Sequence, residues 1–256
     1  MKKIVIAVVA ALALVAVSDA SAQSYGYRRP KYPHHQESIF APGIHFGYVH
    51  SGYRVKDLYL NEVEKGDGMN GLDLGLTMDF ALIPETLFLH SGLDYVYQTS
   101  KPEENNVGFV SVNGRIKDHN LDIPIHLKYR YDFTPVIGIF AQLGPTLSFG
   151  MSSKMTYRAR LDDGSNAQVV YNYYTGKVKT KGLSETLENL VNSQLPESKY
   201  KRMDVRLGGA VGATFFDILE ASVGYQHGIV NKLRGDLAKD YKMRRGMFYL
   251  TVGVRF

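Results

Sequence analysis

The sequence predicts an all-β protein: an eight-stranded antiparallel transmembrane β-barrel with long extracellular loops. Three observations carry this. Apolar residues recur with a period of two over stretches long enough to cross a bilayer. The connections alternate between short and long. The chain closes on an alternating strand that ends in an aromatic residue, Phe256. Bulk composition hides the pattern, because 45% hydrophobic and 21% charged residues would suit an ordinary soluble chain. There is no cysteine, which excludes disulfides and thiolate metal sites. The net charge of +5 is small and scattered, so no nucleic-acid partner is expected.

Residues 1–22 read as a signal peptide: Lys2 and Lys3, an apolar run from Ile4 to Val17, then Ala20-Ser21-Ala22. The run is too short for a membrane anchor. Residues 23–42 form a polar lead-in, expected in the periplasm, with a basic cluster Arg28-Arg29-Pro30-Lys31 and the pair His34-His35. Two adjacent histidines in such a segment are expected to be solvated rather than to bind metal. The barrel is then expected over 43–256.

The first strand is expected at about 43–54. In the second, Leu72, Leu74, Leu76, Met78, Phe80 and Leu82 alternate with Asp73, Gly75, Thr77 and Asp79. The third sets Leu87, Leu89, Leu93, Tyr95 and Tyr97 against His90, Gly92, Asp94 and Gln98. The fourth sets Leu121, Ile123, Ile125, Leu127, Tyr129 and Tyr131 against Asp122, Pro124, His126, Lys128 and Arg130. Further strands follow at about 137–150, 203–215, 219–230 and 246–256. Short turns fall at Ile83 to Thr86, Asp132 to Pro135 and Phe216-Asp217. Long polar stretches fall at 55–71, 99–117, 151–202 and 231–245. This order places short turns and both termini in the periplasm of an outer-membrane barrel.

A soluble lipocalin-like barrel shares the alternation but would turn its apolar face inward. Crowded Leu, Ile, Val and Tyr on one face, and tyrosines near strand ends, favour lipid contact. Loop 151–202 carries a plausible hairpin, Lys154 to Leu161 and Gln168 to Tyr174, which leaves a ten-strand barrel open. It also carries a helical pattern opened by Ser184 and closed by Pro196.

The stretch Leu121-Asp122-Ile123-Pro124-Ile125-His126-Leu127-Lys128-Tyr129 resembles the L-x-I-P-x-x-L-K-Y strand of the PorT-like outer membrane β-barrel family of Bacteroidetes. Weaker likenesses are Leu89 to Tyr95, Gly144-Pro145, and Tyr225 with Gly228-Ile229 and Asn231. The resemblance implies the fold and the bacterial outer membrane. It implies little about activity, and a role in a secretion or transport assembly is the alternative it raises.

The polar faces deliver Asp73, Asp79, Asp94, Asp122, Lys128, Arg130, Asp204, Arg206, Glu220 and Arg255 to the lumen. An eight-stranded barrel has room for little but side chains, so these charges are expected to pair and fill it. Neither catalytic residues nor a cofactor or metal site is expected. Asp118-His119 is the nearest approach to an acid–base pair, yet neighbours on a strand point to opposite faces. A lipid-modifying surface enzyme is therefore the least favoured reading. The expected partners are outer-membrane lipid, the barrel assembly machinery through Phe256, and a protein or glycan at the extracellular loops.

Overall fold

The computed structural model describes residues 40–256 except 60–62, 67, 102, 108–109, 135, 161–165 and 183–199. The signal peptide, the His34-His35 pair, the Asp162 to Ser165 turn and the Ser184 to Pro196 helical pattern lie outside the described residues.

Eight strands form the ring: β1 (Phe40–Asp57), β3 (Met69–Ile83), β4 (Leu87–Ser100), β6 (Val110–Asp132), β7 (Ile137–Arg160), β10 (Met203–Phe215), β11 (Leu219–Gly228) and β12 (Tyr241–Arg255). Every strand pairs antiparallel with its neighbours in the ring, and β1 pairs with β12 to close it. Closure removes the free edge, so backbone groups in the membrane bond within the wall. No described helix is long and apolar enough to cross a membrane.

Period-two alternation meets this wall as an inside-out protein. Leu74, Leu76, Ile125, Leu127, Leu143 (66% exposed), Val211 and Leu250 face outward. The buried positions are mostly polar or charged, and the apolar interior reduces to a small cluster of Val49, Val96, Ala210, Met247 and Tyr249. Aromatic residues edge the apolar band. Phe40, Phe80, Tyr129, Tyr131 and Phe133 are exposed toward the short turns, and Tyr48, Tyr95, Tyr225 and Phe248 toward the long loops.

The strands outrun the expected ranges at the long-loop end. β6 and β7 have 23 and 24 residues, about twice what a tilted membrane strand needs. Their outer parts fall in the long stretches 99–117 and 151–202, outside the expected ring strands, although Val110, Val112 and Ile116, and Met155, Tyr157 and Ala159, still alternate with polar residues as the ladder continues. β7 changes partner along its length, pairing with β10 up to Phe149 and with β8 (Asn166–Asn172) from Lys154. The hairpin in loop 151–202 thus stands above the ring, and the ring holds eight strands rather than ten. Three short strands, β2 (Val63–Lys65), β5 (Glu103–Val107) and β9 (Val178–Lys181), add to β1, β6 and β8.

Two local features set which side chains enter the lumen. Pro124 lacks an N–H, and the β4–β6 ladder is interrupted opposite it, between Ser91–Ile125 and Asp94–Asp122. A β-bulge sets His119 opposite Ser152 but Asn120 opposite Gly150, leaving Met151 as the extra residue. Beyond that residue the parity of β7 reverses, and Ser153 is buried. At the short end Phe216 and Asp217 both take positive φ (56° and 60°), and the Ile218 N–H donates to the Phe215 carbonyl at 3.2 Å. This is the type I′ geometry whose twist suits a two-residue hairpin turn.

Candidate functional site

The lumen concentrates the polar chemistry of the chain. Nearest the short turns, Arg130 Nε donates to Asp132 at 2.8 Å and its Nη2 to Asp217. Arg255 lies 5.2 Å from the centre of the Phe88 ring.

One layer further in, Lys128 is completely buried. Its Nζ donates to Asp79 at 2.8 Å and to both oxygens of Glu220 at 2.8 and 2.9 Å. The other oxygen of Asp79 faces His90 Nδ1 at 2.6 Å, and Lys128 also sits 4.5 Å over the Phe140 ring. A buried ammonium with two carboxylates has its desolvation offset by short, charge-assisted bonds.

The middle layer has a different balance. Asp94 on β4 stands directly opposite Asp122 on β6, a like-charged cross-strand pair that is unfavourable by itself. Arg206, from β10 across the lumen, donates to Asp122. Asp94 and Asp73 instead face His45, whose Nε2 is 3.8 and 3.4 Å from their carboxylates. His45 and Asp94 are held in one row by pairing, and Asp73 stands two residues from that row on β3. His45 is opposite Gly75 on one side and Gly253 on the other, and Gly75 is opposite Asp94. Glycine leaves room for this cluster, since a Cβ on residue 75 would lie 2.2 Å from Asp94 Oδ1 and 2.3 Å from His45 Cε1 and push those side-chain ends aside. A cavity of about 70 Å³ adjoins this cluster, enough for a few water molecules. Among the described residues this is the one group of His, Asp and Glu spaced to hold a metal ion.

Above it, Asp118 accepts hydrogen bonds from Ser153 at 2.5 Å and Tyr53 at 3.2 Å. Arg245 lies 5.7 Å over the Tyr53 ring. His119, next in sequence, points the other way, between Tyr95 (2.6 Å, hydroxyl to Nδ1) and the Tyr97 ring. Asp118 and His119 therefore form no acid–base pair.

At the mouth, Tyr173 stacks on Tyr200 with ring centres 4.6 Å apart. Lys232 and Arg202 both lie over the Tyr174 ring, at 5.6 and 5.2 Å. Burial pushes the Tyr200 hydroxyl up to about 12 and brings the Lys232 ammonium down to about 8, with buried Asp204 working against that fall.

Of the ten charged residues expected in the lumen, the structure joins Asp79, Lys128 and Glu220 in one group and Asp122 with Arg206 in another. Arg130 bonds to Asp132 and Asp217 instead, both outside that set. Asp73 and Asp94 meet His45, and Asp204 acts on Lys232. His45, Tyr53, Lys232 and Arg245 were not singled out from the sequence. His45 was findable, since it shares the parity of Gly43, Gly47 and Val49 on a strand already identified. Tyr53 has the same parity at the end of that strand, whereas Lys232 and Arg245 lie beyond the expected strands, in the long stretch 231–245.

The outer wall carries a second feature. Arg54 and Lys56 on β1 stand opposite Arg244 and Lys242 on β12, and Lys65 on β2 stands opposite Arg54. All five are exposed. None takes part in a salt bridge among the described residues. They form a basic ridge on the long-loop side of Tyr48 and Phe248.

No curated protein matches the chain at the sequence level. Among solved structures, Ail of Yersinia pestis, in complex with the heparin analogue sucrose octasulfate, is similar at 12% identity with a TM-score of 0.40, covering 86% of this chain and 100% of Ail. Neisserial surface protein A is similar at 11% identity and a TM-score of 0.34, covering 83% and 97%. The outer membrane protease OmpT of Escherichia coli is similar at 8% identity and 0.32, covering 86% and 97%. Likeness at this level says nothing of activity. The model of the outer membrane protein beta-barrel domain matches residues 40–234, most of the chain and nearly all of the ring. The chain belongs to that family, and the membrane its apolar wall meets is the bacterial outer membrane.

Proposed function

We propose that this protein is a non-enzymatic barrel with a closed, largely self-neutralised lumen, which acts by contact at its long-loop end. The observation that carries the reading is the Lys128 layer, where one fully buried cation on β6 holds Asp79 from β3 and Glu220 from β11. A lumen tied across its width by ion pairs is a plug rather than a pore. The separation of Asp118 from His119 to opposite faces of the wall supports the absence of catalysis. Short turns and both termini lie in the periplasm on this reading, after removal of residues 1–22. Lipid covers the band between the aromatic belts, and Phe256 is the signal for the barrel assembly machinery.

The basic ridge supports a polyanionic partner. Opposed cations without counter-charges are unfavourable unless an anion joins them, and they lie just beyond the aromatic belt, at the level of outer-leaflet headgroups. Lipopolysaccharide phosphates and an anionic glycan share the required chemistry. A secretion or transport assembly is the alternative, supported by the likeness of Leu121 to Tyr129 to the PorT-like strand, and cross-linking from loop 151–202 would reveal its partner.

Planar-bilayer recording tests the plug: no large, stable conductance steps are expected, and their appearance would refute it. Salt-dependent binding of lipopolysaccharide and of heparin tests the ridge. Loss of binding in the variant Arg54→Gln, Lys56→Gln, Lys242→Gln, Arg244→Gln is the expected result, and unchanged binding of both ligands would remove the polyanion from the reading.

A further inference from the structure

We propose that His45, Asp73 and Asp94 form a binding site for one divalent transition-metal cation, with zinc as its model ion, inside the barrel. The argument starts from charge. Asp73 and Asp94 are the lumen carboxylates of the middle layer with no Lys or Arg salt bridge among the described residues, whereas Asp122 has Arg206. Asp94 also bears the cross-strand repulsion of Asp122. Two carboxylates sharing a single imidazole leave negative charge in a poorly solvated space, which is costly without a cation.

The second observation is the state of the ligand atoms. Asp73 is 6% exposed, and its Oδ1 accepts no hydrogen bond. Asp94 Oδ1 and His45 Nε2 are likewise buried without a hydrogen-bond partner. Buried polar atoms in native proteins are rarely left so, and three on one cluster mark a place for a ligand. Neighbouring groups do not need these atoms: His90 is engaged by Asp79, and His126 by Thr146 at 3.1 Å.

Geometry fits a small cation. One atom from each side chain lies within 4.8 Å of the other two, and His45 Nε2 is 3.4 and 3.8 Å from the two carboxylates. Tetrahedral zinc with His and Asp ligands at about 2.0–2.2 Å places ligand atoms about 3.4 Å apart, close to the two His45–carboxylate separations, and side-chain rotation draws Asp73 and Asp94 together from within 4.8 Å. A nitrogen with two carboxylate oxygens suits zinc, manganese or iron(II), leaving a position for water from the adjoining cavity. The glycine at residue 75 keeps the space open. In this position the ion cross-links β1, β3 and β4 from within and supplies the positive charge the layer lacks.

The test uses the full chain, folded in detergent micelles, stripped with chelator and titrated calorimetrically with zinc. One zinc per chain is expected, with affinity at least about tenfold weaker in Asp73→Asn and in Asp94→Asn. Heat-modifiable migration checks that each variant is folded. Asp118→Asn, and His34→Ala with His35→Ala, should bind zinc as the unaltered chain does. Should the lumen variants fail to fold, the visible spectrum of the cobalt-loaded unaltered protein reads the donor set directly, with one nitrogen and oxygen donors expected. Absence of saturable binding by the unaltered chain would overturn the proposal. So would undiminished binding in the folded Asp variants, loss of binding with His34 and His35, or a cobalt spectrum of several nitrogen donors.

Discussion

Replacing Lys128 by methionine removes the one cation between Asp79 and Glu220 while keeping the length of the side chain. Lys128 Nζ makes three bonds of 2.8 to 2.9 Å, and the lysine is wholly shielded from solvent. Breaking a buried pair by removing one partner costs about 3–5 kcal/mol, because the remaining charge is stranded. Two features place this case toward about 3 kcal/mol in the same range: Asp79 keeps His90, and the Glu220 side chain is 19% exposed, so water recovers part of its hydration. That is about a hundredfold in the folding equilibrium. The assay is urea unfolding in micelles followed by far-UV circular dichroism, since the chain has no tryptophan. Adding Asp79→Asn and Glu220→Gln to Lys128→Met should restore most of the loss, because a neutral layer has no stranded charge. Unaltered stability of Lys128→Met, or a triple variant no better than the single one, would refute the reasoning.

Gly208→Ala should cost more than Gly75→Ala. A Cβ on residue 208 would lie 2.1 Å from the Tyr225 carbonyl oxygen and 2.6 Å from Gln226 Cα, so strands β10 and β11 must part, at about 1–3 kcal/mol. At residue 75 it meets only the ends of two movable side chains; equal urea midpoints for the two variants would contradict this. Lys232, lowered to about 8 by burial, binds a proton less readily in the folded loop than in the unfolded chain, whose lysine value is about 10.4. Its penalty is therefore complete below pH of about 8, and stability rises between about 8 and 10.4 as the unfolded state alone holds the proton. Lys232→Met should be more stable than the unaltered chain at neutral pH, by up to about 3 kcal/mol, and the gap should close by the upper pH. A gap that does not change with pH would sink that account. Phe256→Asp should block insertion in cells; heat-modifiable, membrane-embedded protein from that variant would remove the terminal-signal reading.

The alternation of Leu72 to Leu82 with Asp73 to Asp79 made the two faces of β3 legible from sequence, because a one-residue slip would put every carboxylate into lipid. The same logic extends to β4, β6 and the membrane part of β7, and turns such as Phe216-Asp217 separate them. Sequence also assigned the ten charged residues, Asp73 and Asp94 among them, to the polar parity of their strands. The ring strands read from sequence stopped short of the upper parts of β6 and β7, where Val110 to Ile116 and Met155 to Ala159 still alternate but within long polar stretches.

What only the tertiary structure decided is which lumen groups meet. Lys128 reaches Glu220 across 92 positions and Arg206 reaches Asp122 across 84, contacts fixed by the tilt and stagger of eight strands rather than by any local spacing. The single extra residue at Met151 reversed the parity of β7 and brought Ser153 to Asp118. Closure of β1 on β12 put His45 beside Gly253, and the registers of β1 with β3 and of β3 with β4 put it, across Gly75, beside Asp94. Period two determines the face of a side chain, because the pleat is local; the partner of that side chain depends on the shear of the closed ring, which no segment of sequence contains by itself.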